Sequence, residues 1–246
     1  VLGVNPFEVL RTADVGDLSI NPLDTQSCLQ AISDQIEMLV RQGIVPVCVG
    51  GDHTIGYGTM RGVARALGQP VAMVQIDAHL DTWDSYFGNR YTHGTFLRRL
   101  LEEGYVDGAH SIQIGIRGPL FGPEDLEVVD AFGLEVVPAE DVASSSVKGV
   151  AERIAAKVAG RPVYLTFDID AVDPAFAPGT GTPEVGGLTS LQAIQLIQEL
   201  AGLSLVGAEI VEVSPPFDQS QVTALLAARL ILEILSVLAV NRQSRR

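Results

Sequence analysis

The chain has 246 residues, 47% of them hydrophobic and 19% charged, a composition for one or two folded domains and not for a disordered segment. Sixteen basic against thirty acidic residues leave a net charge of −14. That balance excludes the counterion-replacing surface of a nucleic-acid binder and any polybasic membrane patch, and it favours a cationic small molecule.

Helical and strand signals alternate along the sequence. The chain opens on Val1 with no charged and apolar leader pattern, which implies a start inside a longer chain. Apolar positions at Leu29, Ile32, Ile36, Leu39 and Val40 predict a helix over 25–42, ended by Gly43. A short apolar run, 45–49, predicts a strand closed by Gly50 and Gly51, and 54–67 predicts a helix despite three glycines. Strands follow at 71–76, 111–116, 135–137, 163–167 and 205–213, with helices at 93–103, 124–132, 147–158, 191–200 and 223–238 between and after them. The last helix is apolar, but Arg229 and Glu233 sit four apart within it, as an ion pair on one helical face would, so it reads as a buried or half-buried terminal helix and not a membrane span. Residues 241–246 read as a polar, disordered tail after one domain over 1–240. Cys28 and Cys48, outside any CxxC pattern, read as reduced and buried.

Continuously apolar strands alternating with helices predict an α/β three-layer sandwich around a mainly parallel sheet of six strands. Ligands in such sheets bind beyond the carboxyl ends of the strands. Four strand ends are acidic or carry histidine: Gly50-Gly51-Asp52-His53, Asp77-Ala78-His79-Leu80-Asp81, Asp168-Ile169-Asp170, and Glu212-Val213-Ser214-Pro215. Residues two apart on extended chain point the same way, so Asp77 pairs with His79 and Asp168 with Asp170. A buried group of carboxylates needs counter-charge, and no Arg lies in these segments. A divalent metal pair supplies it, and a set of Asp and His without thiolate suits Mn²⁺ better than structural Zn²⁺. Such a pair makes a hydrolytic site. Asp52 reads instead as a helix N-cap, Asp173 as a turn residue and His110 as a structural or exposed histidine. Gly56, Gly58 and Gly62 have the wrong spacing for a dinucleotide loop, and 178–183 lacks the Lys of a phosphate loop.

Together with Tyr91-Thr92-His93-Gly94-Thr95 and Pro178-Gly179-Thr180-Gly181-Thr182-Pro183, these motifs resemble the ureohydrolase family of arginases and agmatinases, from about residue 13 to the last helix. The agmatinase and guanidino-acid hydrolase branch is the nearer match. The resemblance implies two Mn²⁺ per subunit. One is held by His53, Asp77, Asp81 and Asp168, the other by Asp77, His79, Asp168 and Asp170, with Asp77 and Asp168 bridging. It implies His93 as the mobile-loop proton-transfer histidine and Glu212 as the carboxylate that grips the guanidinium. It implies hydrolysis of a guanidino compound to urea and an amine, with agmatine expected ahead of 4-guanidinobutyrate, 3-guanidinopropionate and arginine. It also implies a cytoplasmic trimer or hexamer working in polyamine biosynthesis, and a further N-terminal strand that is missing here. For a guanidino acid, Arg90 or Arg117 could meet the carboxylate. A non-catalytic relative, or a one-zinc deacetylase on a related fold, would not need the full set of ligands with His93 and Glu212.

Overall fold

Six strands run in parallel in the computed structural model, which describes residues 2–244. They are β1 (Val47–Val49), β2 (Ala72–Ile76), β3 (Ile112–Ile116), β4 (Glu135–Pro138), β5 (Val163–Asp168) and β6 (Leu205–Val211), in the order β1-β6-β5-β2-β3-β4. β5 shows why the sequence reads as continuously apolar. Val163, Leu165 and Phe167 enter one core, Tyr164 enters the other, and all six residues of the strand are buried. Full burial of side chains of this size contributes about 1.5–3 kcal/mol each.

The described residues also form nine α-helices, α1 (Pro6–Val9), α2 (Thr25–Arg41), α3 (Ile55–Leu67), α4 (Phe96–Glu102), α5 (Glu124–Phe132), α6 (Ala139–Ser144), α7 (Val147–Val158), α8 (Ser190–Glu199) and α9 (Val222–Ser244), besides three short 3₁₀ turns. α6 to α9 cover one face through Val142, Ile154, Leu196, Leu230 and Ile234. α2 to α5 cover the other through Ile32, Met60, Phe96, Leu100 and Val129. This is the predicted three-layer sandwich in one domain, with every strand pairing parallel. α1 and α6 were not predicted; at four and six residues they are too short to show a periodic stripe.

Two expectations are corrected. Of the tail expected over 241–246, Asn241–Ser244 form the last turn of α9, where the Asn241 side chain accepts from the Gly202 amide at 2.6 Å and donates to the Leu203 carbonyl at 2.8 Å, and 245–246 lie outside the described residues. Cys28 and Cys48 are free, but each is only partly buried. α9 is long and apolar enough to cross a membrane by length and composition. Half of its apolar stretch is buried inside the protein, and the Arg229–Glu233 pair forms as expected.

The strand order positions the site. From β2 the chain goes on to β3 and β4 on one side, and from β5 it goes to β6 on the other, so the crevice between β2 and β5 is the switch point where α/β sheets bind ligands. Asp77 follows β2 and Asp168 ends β5, one on each side of that crevice. β1 lies at the sheet edge, with Val49 69% exposed.

Candidate metal centre and active site

The six predicted ligands converge. His53, four residues beyond β1, points Nδ1 at Asp77, Asp81 and Asp168, each 3.2 Å away. His79 Nδ1 lies 3.0 Å from Asp170 and 3.7 Å from Asp77. The donor atoms form two buried groups, His53 with Asp77 and Asp81, and Asp77 with His79 and Asp170; within each group the atoms lie within 4.8 Å of one another. Asp77 belongs to both, as a bridging ligand must. Asp168 reaches His53 with Oδ2, while its Oδ1 accepts from the Asp170 amide at 2.8 Å.

Backbone and side chains aim these carboxylates. The His79 amide donates to Asp77 at 2.7 Å and the Ala78 amide to Asp170 at 3.1 Å. Thr182 donates to Asp170 at 3.0 Å, and Gln75 Nε2 donates to both Asp77 and Asp81, at 2.7 and 3.1 Å. A methyl group on Gly118 would lie 2.3 Å from the His79 ring, so glycine there is what lets the ring take its place.

The charges do not balance on their own. Among the described residues no Lys or Arg pairs with Asp77, Asp81, Asp168 or Asp170; only the two histidines do. Burial, then the neighbouring anions Asp170 and Asp77, drive Asp168 well above the ordinary carboxylate value. Burial and the Asp77 charge push Asp81 up to about 7. Burial would also raise Asp77, but His53 and His79 hold it low. Burial would lower His53, yet three carboxylates hold it well above the ordinary histidine value, and Asp170 with Asp77 raises His79 to about 9 against its own burial. Protons therefore stand where cations are wanted. Two hard divalent ions fit this oxygen-rich set, which contains no thiolate.

A measurable consequence is proton release. Ligands must be deprotonated to bind metal. At pH 7 metal uptake is expected to expel protons from His53 and His79 and from the raised carboxyls of Asp168 and Asp81. Affinity should fall as pH drops through about 9, where His79 takes its proton, and further through about 7, where Asp81 does. Titration calorimetry in buffers of different ionisation enthalpy reads the number released, and a metal uptake that releases no protons would contradict the assignment.

Glu212 and His93 stand beside the two groups and in neither, together with Asp52 within 4.8 Å of one another. Glu212 takes a left-handed backbone, φ 63°, which costs a non-glycine residue roughly 1–2 kcal/mol. Two bonds hold it there: its amide donates to the Gly51 carbonyl at 2.9 Å, and its carboxylate accepts from the His53 amide at 2.7 Å. The strain thus turns the carboxylate at the end of β6 into the cleft. Burial pushes its carboxyl up to about 7. His93 lies on the loop before α4 with its ring edge-on to Tyr86, and burial holds it below the ordinary histidine value. The Thr95 hydroxyl, bonded to the Thr92 amide and the Arg90 carbonyl, and the Trp83 amide, bonded to the Gly94 carbonyl, pin that loop on both sides of His93.

The residues expected to be bland divide. Asp173 is a turn residue, accepting from the Ala175, Gly186 and Gly187 amides, and His110 pairs locally with Asp107 at 2.9 Å. Asp52 is not the N-cap of α3. It accepts from the Thr54 amide at 2.9 Å in a turn that makes Thr54 the N-cap, and it also borders the cleft beside His93. Neither arginine considered for a substrate carboxylate lines the cleft. Arg117 donates to five backbone carbonyls, Gly115, Asp170, Ala171, Glu184 and Val185, and so fixes the 184–185 loop against Asp170. Arg90 is exposed and pairs with Glu102 and Asp84.

Sequence reasoning missed Trp83 and Tyr86 in the cleft wall, and it named Thr182 there only as part of the 178–183 motif. It also missed a row of polar side chains across the sheet beneath the ligands. Glu209, Thr166, Gln75 and Gln113 are register neighbours on β6, β5, β2 and β3, and all are fully buried. The available signal was a lone polar residue inside each of four apolar strands.

Known proteins share this arrangement of strands and helices. The model of the arginase family matches residues 1–236. A guanidinopropionase of Pseudomonas aeruginosa is 44% identical over 237 residues, covering 96% of this chain and 74% of its own. A mitochondrial agmatinase of Gallus gallus is 42% identical, covering 96% of this chain and 69% of its own. The solved structure of proclavaminate amidinohydrolase from Streptomyces clavuligerus superposes with a TM-score of 0.91 at 37% identity, covering 97% of this chain and 79% of that one.

Proposed function

We propose a reaction from an established premise, that this chain belongs to the arginase family and is a hydrolase of amidino C–N bonds. The reaction is Mn²⁺-dependent hydrolysis of a guanidino compound to urea and an amine, and the preferred substrate is agmatine, giving putrescine. The observation that carries this reading is a cleft where Glu212 faces outward beside two groups of metal-type donors that share Asp77.

Asp77, Asp81, Asp168, Asp170, His53 and His79 would hold two divalent ions. Bound there, such ions supply activation of water at neutral pH and neutralise the carboxylates. The rest falls to this chain's own side chains. Glu212 presents a planar carboxylate to a planar cation, which allows two charge-assisted hydrogen bonds and orients the guanidinium carbon. Its raised carboxyl means that it sheds its proton as the cation arrives. His93, on the same side as Glu212, reaches the amine that departs. The net change takes up one water, breaks one C–N bond and delivers a proton to the leaving nitrogen.

The tail of the substrate distinguishes members of the family. Among the described residues no Lys or Arg lines the cleft, whereas Trp83 and Tyr86 do. Aromatic faces accept a polymethylene chain and its terminal ammonium, which supports agmatine. The second reading, a guanidino acid hydrolase, draws support from relatives named guanidinopropionase and guanidinobutyrase at 44% and 42% identity.

Urea release with Mn²⁺ on agmatine, 4-guanidinobutyrate, 3-guanidinopropionate and arginine tests both readings; agmatine should give the highest kcat/KM, and a guanidino acid ahead of it would establish the second. Glu212→Gln should keep both ions and lower kcat/KM by ~2–3 kcal/mol, the scale of hydrogen bonds to a charged group. In the parent enzyme the KM for a cationic substrate should fall as pH rises and Glu212 ionises, and the variant should lose that dependence. A Glu212→Gln protein stripped of metal would instead make Glu212 a ligand.

A further inference from the structure

Glu209 is a fully buried carboxylate in the middle of β6, and it forms no ion pair among the described residues. Its Oε2 accepts from the hydroxyls of Thr59 at 2.6 Å and Tyr164 at 3.0 Å, and its Oε1 accepts from Thr166 at 2.9 Å. Its surroundings are shaped for it. A methyl group on Gly56, in the first turn of α3, would lie 3.0 Å from Oε1, so glycine there lets the positive end of the helix approach the anion. The catalytic groups of the cleft do not include it.

Thr166 carries the connection onward. Its Oγ1 lies 2.7 Å from His53 Nε2, and the other nitrogen of that ring, Nδ1, faces Asp77, Asp81 and Asp168. A hydroxyl has one hydrogen. Thr166 spends it on Glu209 Oε1, so toward His53 it must act as acceptor. His53 must then carry its hydrogen on Nε2, which leaves the Nδ1 lone pair for a metal. We propose that Glu209, acting through Thr166, is a positioning residue that fixes the tautomer and ring plane of His53 and so sets the affinity of one of the two ions, the one His53 would hold. The proposal rests on the reading of the six residues as a divalent metal site. Of the residues that would hold the second ion, only the shared Asp77 meets His53; among the described residues, His79 and Asp170 bond to none of His53, Thr166 and Glu209.

Binding of Mn²⁺ alone tests this, with no substrate present. Chelator-stripped protein is titrated with Mn²⁺ while the resonance of the free ion is followed, and each variant's metal-free melting temperature is recorded. In Thr166→Val, which keeps the shape and loses the hydroxyl, one ion should bind ~10–100-fold more weakly, the range for removing an outer-shell partner of a ligand, while the other binds as in the parent. Thr166→Ser should restore parental binding of both. Glu209→Gln should weaken the same single ion, because an amide can donate to Thr166 and free it to point its hydrogen at His53. Thr166→Val binding both ions normally, or losing both equally, would overturn the proposal, as would a Thr166→Ser protein no better than Val. A parent protein that takes up no Mn²⁺ would overturn the metal reading along with this one.

Discussion

Asp77→Asn is expected to lose both divalent ions and all measurable urea release together, while His53→Ala loses mainly one ion. Asp77 is the single side chain common to the two buried donor groups, and it stands at the crevice between β2 and β5. A bridging carboxylate has one oxygen for each ion, and in this structure Oδ2 faces His53 while Oδ1 lies toward His79. Asparagine keeps the size but replaces one oxygen with an NH₂ and removes the charge. Whichever way the amide turns, it fails. With its nitrogen at Oδ2 it meets the Gln75 Nε2 donor, which now lies 2.7 Å from that atom; with its nitrogen at Oδ1 it meets the His79 amide, also at 2.7 Å. The fold itself should survive, because the charge removed is one that the metal-free cluster balances only with protonated histidines. Metal analysis by mass spectrometry beside a urea assay checks the pair of variants. An Asp77→Asn protein holding a full complement of ions, or a His53→Ala protein losing both completely, would sink the shared-ligand assignment.

The strands and the residues that converge beyond their ends were legible in the sequence because they share a cause. Buried parallel strands must be apolar, so an aspartate or histidine at the end of one stands out against its background; Asp77, His79 and Asp168 were visible for that reason. The resemblance of the motifs to a known family then distinguished ligands from His93 and Glu212, which composition and spacing leave open. Periodicity placed α5 and α7 to the residue, since both have an apolar stripe and a clear stop. It set the start of α4 too early, at 93, because Gly94 and Thr95 hold the loop in a turn that has no apolar signature. Over 241–244 polarity was taken for fraying, when the polar Asn241 side chain bonds the 202–203 turn.

What stayed hidden needs three dimensions. The register that sets Gln113, Gln75, Thr166 and Glu209 side by side joins four segments separated by up to 134 positions (209 − 75), and no local pattern predicts it. Arg117 looked free to meet a carboxylate because a sequence does not show that five carbonyls already claim its guanidinium. Glu212 could be named from its motif, but its left-handed backbone could not, and that conformation is what separates a carboxylate in the cleft from one buried like Glu209 three residues earlier.

His93→Ala is expected to keep both ions and near-parental KM while slowing kcat by ~10²–10⁴-fold, the usual worth of a positioned proton carrier. His93 belongs to neither buried ligand group, so metal content has no reason to change. Its position decides its role. The ring lines the same cleft as the six converging residues, with a nitrogen within 4.8 Å of the Glu212 carboxylate and its edge to Tyr86, so on the proposed reading it can meet the leaving amine. Its ionisation suits a relay. Burial holds it below 6.5, so at neutral pH the ring is uncharged and can take a proton on one nitrogen while giving one from the other. A permanently charged ring could give but not receive. The sign of the pH effect follows: acid protonates the resting ring, so the limb of kcat that reports His93 should fall off below pH 6.5 and be absent from the alanine variant. Imidazole added to the medium should return part of the lost rate, because the cavity left by the ring opens beside the same leaving group. Steady-state kinetics across pH with metal analysis of the same samples provides the test, and an alanine variant with parental kcat, or one depleted of metal, would move His93 out of this role.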